Sequence, residues 1–183
     1  MFPFAKRAGR GRIVLALLIL TIAVGALALP SLNTMSDQGV GIVELELART
    51  SDQAGEYFDQ LGEDGRDAAR ESLYLDYPFL IAYGLFFAIA CAVVAARGEE
   101  RGMFRLAAVG SLVIWAAPLA ALCDATENGA LLRVLDGHTD QPWPALAFGF
   151  ASAKFLLLLC AASYAIFGVL LTLGRSRTAS PAE

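Results

Sequence analysis

The chain alternates long apolar stretches with polar segments, and the apolar stretches predict its architecture. Four of them, at residues 13–29, 77–96, 106–123 and 145–173, are hydrophobic nearly all round rather than on one face. A helix that crosses the hydrocarbon core of a bilayer takes about 20 apolar residues, with a range of roughly 17–25. Because lipid offers no hydrogen bonds to the backbone, we expect each stretch to cross a membrane as a helix.

Composition supports this interpretation. The chain has 183 residues, of which 57% are hydrophobic, whereas a soluble domain is usually nearer half apolar. An excess of this kind is typical of a protein that folds in lipid. The predicted fold class is therefore all-α: an integral membrane four-helix bundle, with an extracytoplasmic amphipathic helix described below.

The distribution of charge predicts the orientation of the four helices. Basic residues cluster in segments 1–12, 97–105 and 174–183, whereas segments 30–76 and 124–144 contain most of the eighteen acidic residues. Basic segments remain in the cytoplasm. We therefore expect a multi-pass protein of the cell inner (cytoplasmic) membrane with both termini inside. The basic residues on the inner side are Lys6, Arg7, Arg10, Arg12, Arg97, Arg101, Arg105, Arg175 and Arg177.

The first apolar stretch has a second interpretation. Basic residues, an apolar run and Ala26-Leu27-Ala28 before Pro30 also match a cleavable secretory signal. The run is longer than the usual core of such a signal, about 7–15 residues. Its length favours retention as a signal anchor, whereas cleavage leaves three spans and an external N-terminus.

Segment 30–76 is too long for a bare loop, so we expect it to contain structure. Ser36 and Asp37 offer an N-cap to a helix whose apolar positions recur with a roughly helical period. We predict an amphipathic helix that packs as a cap over the bundle and ends at Gly62. Its apolar face has Val40, Val43, Leu47, Ala54, Phe58 and Leu61, and its acidic face has Glu44, Glu46, Asp52, Glu56 and Asp59.

Two further positions affect the ends of helices. Pro78 either lies in the first turn of a helix capped by Asp76, where its missing N–H costs nothing, or bends a continuous helix. The third helix is expected to continue beyond residue 123 to Leu135 and to end at Gly137.

Three charged residues in different spans are predicted to lie at one height. Counting along each helix from its inner end at about 1.5 Å per residue, Asp76, Asp124 and Lys154 agree to within about one turn. Ionisable groups at membrane depth are costly, and they usually face the interior of a bundle, a partner or a water-filled cavity. We therefore expect these three side chains to meet inside the bundle, near its external end.

Helical spacing adds three residues to this predicted polar layer. Glu127 and Asn128 lie three and four residues after Asp124, on the same helix face. Tyr83 lies seven residues after Asp76 and therefore also shares a face with it. The candidate site residues are Asp76, Tyr83, Asp124, Glu127, Asn128 and Lys154.

The charges in this layer do not balance, because three carboxylates face one ammonium. Arg70 or Arg133 is expected to supply a further positive charge; otherwise one carboxyl group holds a proton. A carboxyl group of that kind can act as a general acid or base, or bind a cation. The alternative is structural: Lys154 and Asp124 pair only to orient two helices.

No cofactor or metal site is predicted. His138 is the only histidine and lies in a polar turn, without the spacing typical of metal ligands. Glycine-rich phosphate loops and nucleic-acid-binding features are also lacking. The expected partners are membrane lipid, a lipophilic ligand or a membrane protein, with no nucleic acid.

Four segments resemble a pattern found in uncharacterised bacterial four-span membrane proteins: residues 41–48 (GIVELELA), 72–79 (SLYLDYPF), 124–128 (DATEN) and 153–155 (AKF). This resemblance extends from Gly41 to Tyr164 and implies a fold and site positions but no activity. A more distant likeness is to sterol-isomerase and sigma-2-like four-helix proteins, which bind lipophilic ligands beside buried carboxylates. The chain lacks the histidine expected within the spans of such an isomerase.

Three functions are compatible with these features. The first is non-enzymatic binding of a lipid, a lipophilic small molecule or a partner membrane protein at the polar layer. The second is an intramembrane enzyme that uses Asp76, Asp124 or Glu127 as acid or base, with Lys154 stabilising negative charge. The third is translocation of cations or protons by an oligomer. The pattern favours the first.

Overall fold

Helices are the only regular elements in the part of the chain that the structure covers. The structure is a computed structural model that describes residues 9–177, with side chains up to residue 174, so the predictions for the chain termini beyond these limits lie outside it. The helices are α1 (Arg10–Ala26), α2 (Leu29–Asp37), α3 (Ile42–Glu46), α4 (Ser51–Glu100), α5 (Phe104–Val113), α6 (Ala116–Leu135) and α7 (Trp143–Arg177).

Four stretches of helix are long and apolar enough to cross a membrane. Two of them consist of paired helices, α1 with α2 and α5 with α6, and the others lie within α4 and α7. The predicted all-α class with four long apolar helices is confirmed. The first stretch extends beyond the predicted boundary at residue 29, because Pro30 lies in the first turn of α2, where its missing N–H requires no partner.

Helix α4 is the centre of the packing. It contacts α1, α2, α5, α6 and α7, while α6 and α7 pack against each other along much of their length. In the described part of the chain, every extensive contact of α1 is with α4. Helices α1 and α7 therefore lie beside α4 without packing closely on each other.

The prediction of a single amphipathic helix from Ser36 to Leu61 is wrong. Helix α2 already ends at Asp37, and Gly39 follows it with a φ of 81°, a conformation that ends a right-handed helix. The short α3 comes next, and α4 begins only after Thr50. Three separate helices therefore replace the predicted one.

A capping box that the sequence contains determines where α4 begins. The side chain of Thr50 accepts a hydrogen bond from the backbone N–H of Gln53 at 3.3 Å. In return, Gln53 Oε1 accepts one from the backbone N–H of Thr50 at 3.3 Å. This reciprocal pair satisfies two N–H groups that otherwise lack helical partners.

The predicted break at Gly62 is confirmed. Gly62 has φ 62° and ψ −167°, and it interrupts α4 with a kink. Arg66 holds the two sides together, because its guanidinium donates to the carbonyl oxygen of Phe58 at 3.0 Å and lies 4.4 Å from the centre of the Phe58 ring.

The remaining helix boundaries resolve two points left by the sequence. Pro78 lies inside α4, so the helix is continuous past Asp76 and does not begin there. Helix α6 ends at Leu135, and Gly137 follows with a φ of 92°, as predicted. Arg70 donates to the carbonyl oxygen of Leu135 at 3.0 Å, which joins this helix end to α4.

We expect Gly62→Ala to lower the free energy of unfolding by about 1–3 kcal/mol, because a side chain is strained in this backbone conformation. A Cβ at residue 62 meets no atom within 4 Å, so the effect isolates backbone strain. The matched control is Gly55→Ala in the same helix, where a Cβ also meets nothing within 4 Å. Thermal unfolding of the purified protein in detergent measures both, and equal stability of the two variants contradicts the assigned kink.

Candidate functional site

The ammonium of Lys154 on α7 lies at the centre of a group of acidic side chains. Its Nζ donates to Asp124 Oδ1 at 2.9 Å and lies 2.8 Å from Glu127 Oε2. A third carboxylate, that of Glu46 on α3, is 3.5 Å from the same nitrogen. Lys154 is only 6% exposed. A buried ammonium is tolerated only when partners such as these compensate for its lost hydration.

The other predicted residues surround this centre. The hydroxyl of Tyr83 donates to Asp124 Oδ2 at 2.7 Å, so both oxygens of that carboxylate are engaged. The Asn128 amide donates to Asp76 Oδ2 at 2.8 Å. The structure therefore brings all six candidate residues together, from α4, α6 and α7.

Glu46 belongs to the same group, although sequence reasoning assigned it to a solvent-facing acidic surface. It is 9% exposed, whereas Val43 and Leu47, expected to face inward, are 49% and 42% exposed. The reason is that α3 is a separate helix with its own rotation. A signal was present: Glu46 lies between two leucines, an apolar setting unusual for an exposed glutamate. We call Glu46, Asp76, Tyr83, Asp124, Glu127, Asn128 and Lys154 the polar cluster.

The arginines considered as balancing charges lie elsewhere. Arg70 pairs with Asp136 at 3.0 Å and Asp67 at 3.2 Å. Arg133 is exposed and lies over the ring of Trp143, 5.9 Å from its centre. Among the residues that the structure describes, the polar cluster thus contains four carboxyl groups and one ammonium.

Glu127 is the most deeply buried acid in the cluster, with no exposed surface. Its Oε1 has no hydrogen-bond donor within the described residues, and Oε2 has only the ion pair with Lys154. A buried polar atom without a partner costs free energy. The burial of Glu127 is therefore unfavourable by itself, and its ion pair with Lys154 is the interaction that compensates for it.

Glu46 lies outside the long apolar helices, and its titration is perturbed. Burial raises the pKa of the Glu46 carboxyl above its ordinary value, and Asp124 and Asp76 raise it further. Lys154 acts in the opposite direction but does not outweigh the burial. The native protein therefore favours the protonated form of Glu46 more than the unfolded chain does.

A cavity of about 490 Å³ adjoins the polar cluster. Its walls come mainly from α1, α4 and α7, with α2 and α3 at one end. The polar lining consists of Glu46, Ser72, Asp76, Tyr83, Asp124, Asn128, Lys154 and Thr21. Most of the remaining surface is apolar and includes Leu18, Val24, Leu32, Phe79, Phe86, Phe87, Phe155 and Leu158.

The cavity lies where the packing of the helices is open. Helices α1 and α7 both contribute to its walls, yet neither packs extensively on the other in the described part of the chain. Val24 and Phe155 are placed on these two walls. The arrangement is suited to a molecule with an apolar body and a polar group.

The structure offers no alternative metal centre within residues 9–177. His138 is exposed in the turn before α7. No group of three histidine, cysteine or acidic side chains is placed to hold a metal ion among the residues described.

Removal of the central charge is expected to be costly. We expect Lys154→Met to lower the free energy of unfolding by about 3 kcal/mol, because buried carboxylates lose their partner. The added change Asp124→Asn removes one of these charges, so the double variant is predicted to be more stable than additivity allows. Thermal or chemical unfolding in detergent measures the cycle. Arg133→Met, an exposed cation, serves as the control, and strict additivity contradicts the pairing.

The raised pKa of Glu46 predicts a dependence on pH. As pH rises through the native pKa, a charge must form in a buried place, so the native state loses stability relative to the unfolded chain. We expect Glu46→Gln, which stays neutral, to gain in melting temperature over the wild type as the pH rises above the ordinary pKa of a glutamate and through the raised native pKa of Glu46. Glu44→Gln in the same short helix, at an exposed position, is the control. Parallel pH curves for wild type and Glu46→Gln contradict the prediction.

Comparison of the chain with known protein families, with curated proteins and with solved structures found no match. The sequence resemblance described above therefore stays a prediction.

Proposed function

We propose that this protein is an inner-membrane protein that binds a lipid or another lipophilic small molecule in the cavity beside the polar cluster. The observation that supports this is a cavity of about 490 Å³ whose walls are largely apolar and whose polar groups converge from several helices. Small-molecule sites in proteins usually measure about 300–1,000 Å³ and combine apolar walls with a few polar groups.

The position of the cavity favours a ligand that arrives from the membrane. Its walls include residues from all four of the stretches that are apolar enough to span a bilayer, and Leu18, Phe86 and Leu158 are among the apolar ones. A molecule dissolved in the hydrocarbon core meets the open side between α1 and α7 without crossing water. A lipophilic ligand is therefore compatible both with the apolar walls of the cavity and with entry from the membrane.

The distribution of basic residues orients the site. The end of the helices that carries Arg10, Arg97, Arg101 and Arg105 lies in the cytoplasm by the positive-inside rule. The polar cluster then lies towards the outer face, beneath α3. In this orientation both chain termini are cytoplasmic, and the ligand's polar group sits near the external end of the cavity.

Binding is better supported than catalysis. The enzymatic alternative needs Lys154 to stabilise a negative charge that develops on a substrate. Its ammonium already faces the carboxylates of Asp124, Glu127 and Glu46. An ammonium surrounded in this way has little capacity left for a substrate oxygen.

Translocation of ions is also less well supported. Between the polar cluster and the basic end, the helices pack through an apolar core that includes Cys91, Val94, Ala117, Ala161 and Tyr164. The hydroxyl of Tyr164 already donates to the carbonyl oxygen of Leu106 at 2.9 Å. Among the residues that the structure describes, an ion crossing one copy of this chain meets no charged partner over that distance.

The proposal predicts that a bulky side chain in the cavity wall displaces the ligand. Val24→Trp fills space on the α1 side of the cavity, whereas Ile22→Trp adds the same ring on the 63%-exposed face of the same helix. Mass spectrometry of the gently purified protein is expected to find a lipophilic molecule at about one per chain. We expect Val24→Trp to lose most of it and Ile22→Trp to retain it.

Two results contradict the proposal. One is the recovery of wild-type protein that is folded but carries no stoichiometric lipophilic molecule and takes up none when offered a membrane lipid extract. The other is equal ligand content in the two tryptophan variants. Capture of a membrane protein in place of a small molecule supports the alternative, in which the site binds a partner membrane protein.

A further inference from the structure

We infer that the molecule bound in this cavity has a head group that donates hydrogen bonds and carries a positive charge, such as a protonated amine, with Asp76 as its acceptor. This inference rests on the proposed binding function and adds the chemical class of the ligand. Three observations support it. Within the described residues, Asp76 has no cation beside it, and the hydrogen-bond donors of the polar cluster already have acceptors. The polar cluster also contains more acidic than basic groups.

Asp76 is the acidic group of the cluster that has no cation beside it. Lys154 lies within ion-pairing distance of Glu46, Asp124 and Glu127, but in the described part of the chain no ammonium or guanidinium is that close to Asp76. Its Oδ2 accepts a hydrogen bond from the neutral Asn128 amide, and its carboxyl group also lies within hydrogen-bonding distance of the Asp124 carboxyl group. Asp76 lines the cavity and is only partly buried, so its carboxyl group is in contact with the space that a ligand would fill.

The donors at this end of the cavity are already in use. The Tyr83 hydroxyl donates to Asp124, and the Lys154 ammonium has three carboxylates around it. Apart from the second N–H of Asn128 and a proton held by Glu46, the side chains there present acceptors. A ligand whose head group only accepts hydrogen bonds, such as an ester or a ketone, therefore finds few donors, whereas an ammonium supplies what is missing.

The charges lead to the same conclusion. Four carboxyl groups share one ammonium, so an incoming anion meets like charge and an incoming cation gains a charge-assisted hydrogen bond. Phosphate and carboxylate head groups are thus disfavoured unless a positive group precedes them. The apolar walls, including Phe79, Phe86 and Phe87, accommodate the hydrocarbon part.

The experiment compares head groups on one hydrocarbon chain. Full-length protein in phosphatidylcholine nanodiscs is titrated with dodecylamine, dodecanol or dodecanoate, and bound probe per chain is counted by native mass spectrometry, with empty nanodiscs as background. The amine is protonated at neutral pH, as a lysine side chain is. We expect dodecylamine to bind at least about tenfold more tightly than dodecanol, and dodecanoate to bind more weakly than dodecanol.

Variants assign the effect to one side chain. Asp76→Asn keeps the shape but removes the charge, and we expect it to weaken dodecylamine by at least about tenfold while changing dodecanol by less than about threefold. Asp67→Asn is the matched control, because it makes the same change in the same helix at a side chain that is 74% exposed. Should Asp76→Asn fail to fold, the order of the affinities of the three probes for the wild type still tests the inference.

The outcomes separate the inference from the proposed function. Equal or tighter binding of dodecanol or dodecanoate, or an unchanged affinity of Asp76→Asn for the amine, overturns the inference while leaving a lipophilic site in place. Failure of all three probes to bind above background overturns the proposed function itself. If dodecylamine binds as expected, competition by lysophosphatidylethanolamine distinguishes two sources of the natural amine. A site for membrane aminolipids binds lysophosphatidylethanolamine, which displaces dodecylamine. A site for diffusible amines rejects it because of its phosphate, and dodecylamine stays bound.

Discussion

One buried ammonium organises this protein. Lys154 lies on α7 within the apolar part of the fold, and removal of its hydration is unfavourable unless acidic partners surround it. Those partners come from α6, through Asp124 and Glu127, and from α3, through Glu46. The requirement constrains the rotation of α7 against α6, and it draws a short acidic helix inward that would otherwise lie at the surface. Tyr83 and Asp124 extend the same constraint to α4.

The space between α1 and α7 follows from what α1 lacks. In the described residues α1 contributes no member of the polar cluster, and its polar attachments to α4 lie near the ends of the first apolar stretch. Arg10 pairs with Glu100 at 2.9 Å at one end, and Ser31 of the adjoining α2 donates to Glu71 at 2.8 Å at the other. Between them, Gly25 approaches the ring of Phe79 closely. Helix α1 thus lies against α4 but leaves room beside α7, where the cavity forms.

Sequence reasoning reached most of the cluster because height and helix face are local properties. Counting residues along each apolar stretch placed Asp76, Asp124 and Lys154 together, and helical spacing added Tyr83, Glu127 and Asn128. It failed at Glu46, because one period was assumed to run from Ser36 to Leu61, whereas Gly39 and the Thr50 cap divide that segment. Once the helix is divided, the rotation of α3 depends on what it packs against. Arg70 and Arg133 were misjudged for a similar reason, since their partners lie across the fold.

By itself, the sequence determined the all-α class, the four long apolar helices, the break at Gly62 and the heights of the charged groups. These depend on composition and on periodicity within a helix, which the chain carries in consecutive residues. Only the tertiary structure decided that Lys154 has three acidic partners, that Asp76 has no cation beside it, and that a cavity separates α1 from α7. Those features depend on the rotation and spacing of helices far apart in sequence, and close packing and charge compensation determine these jointly.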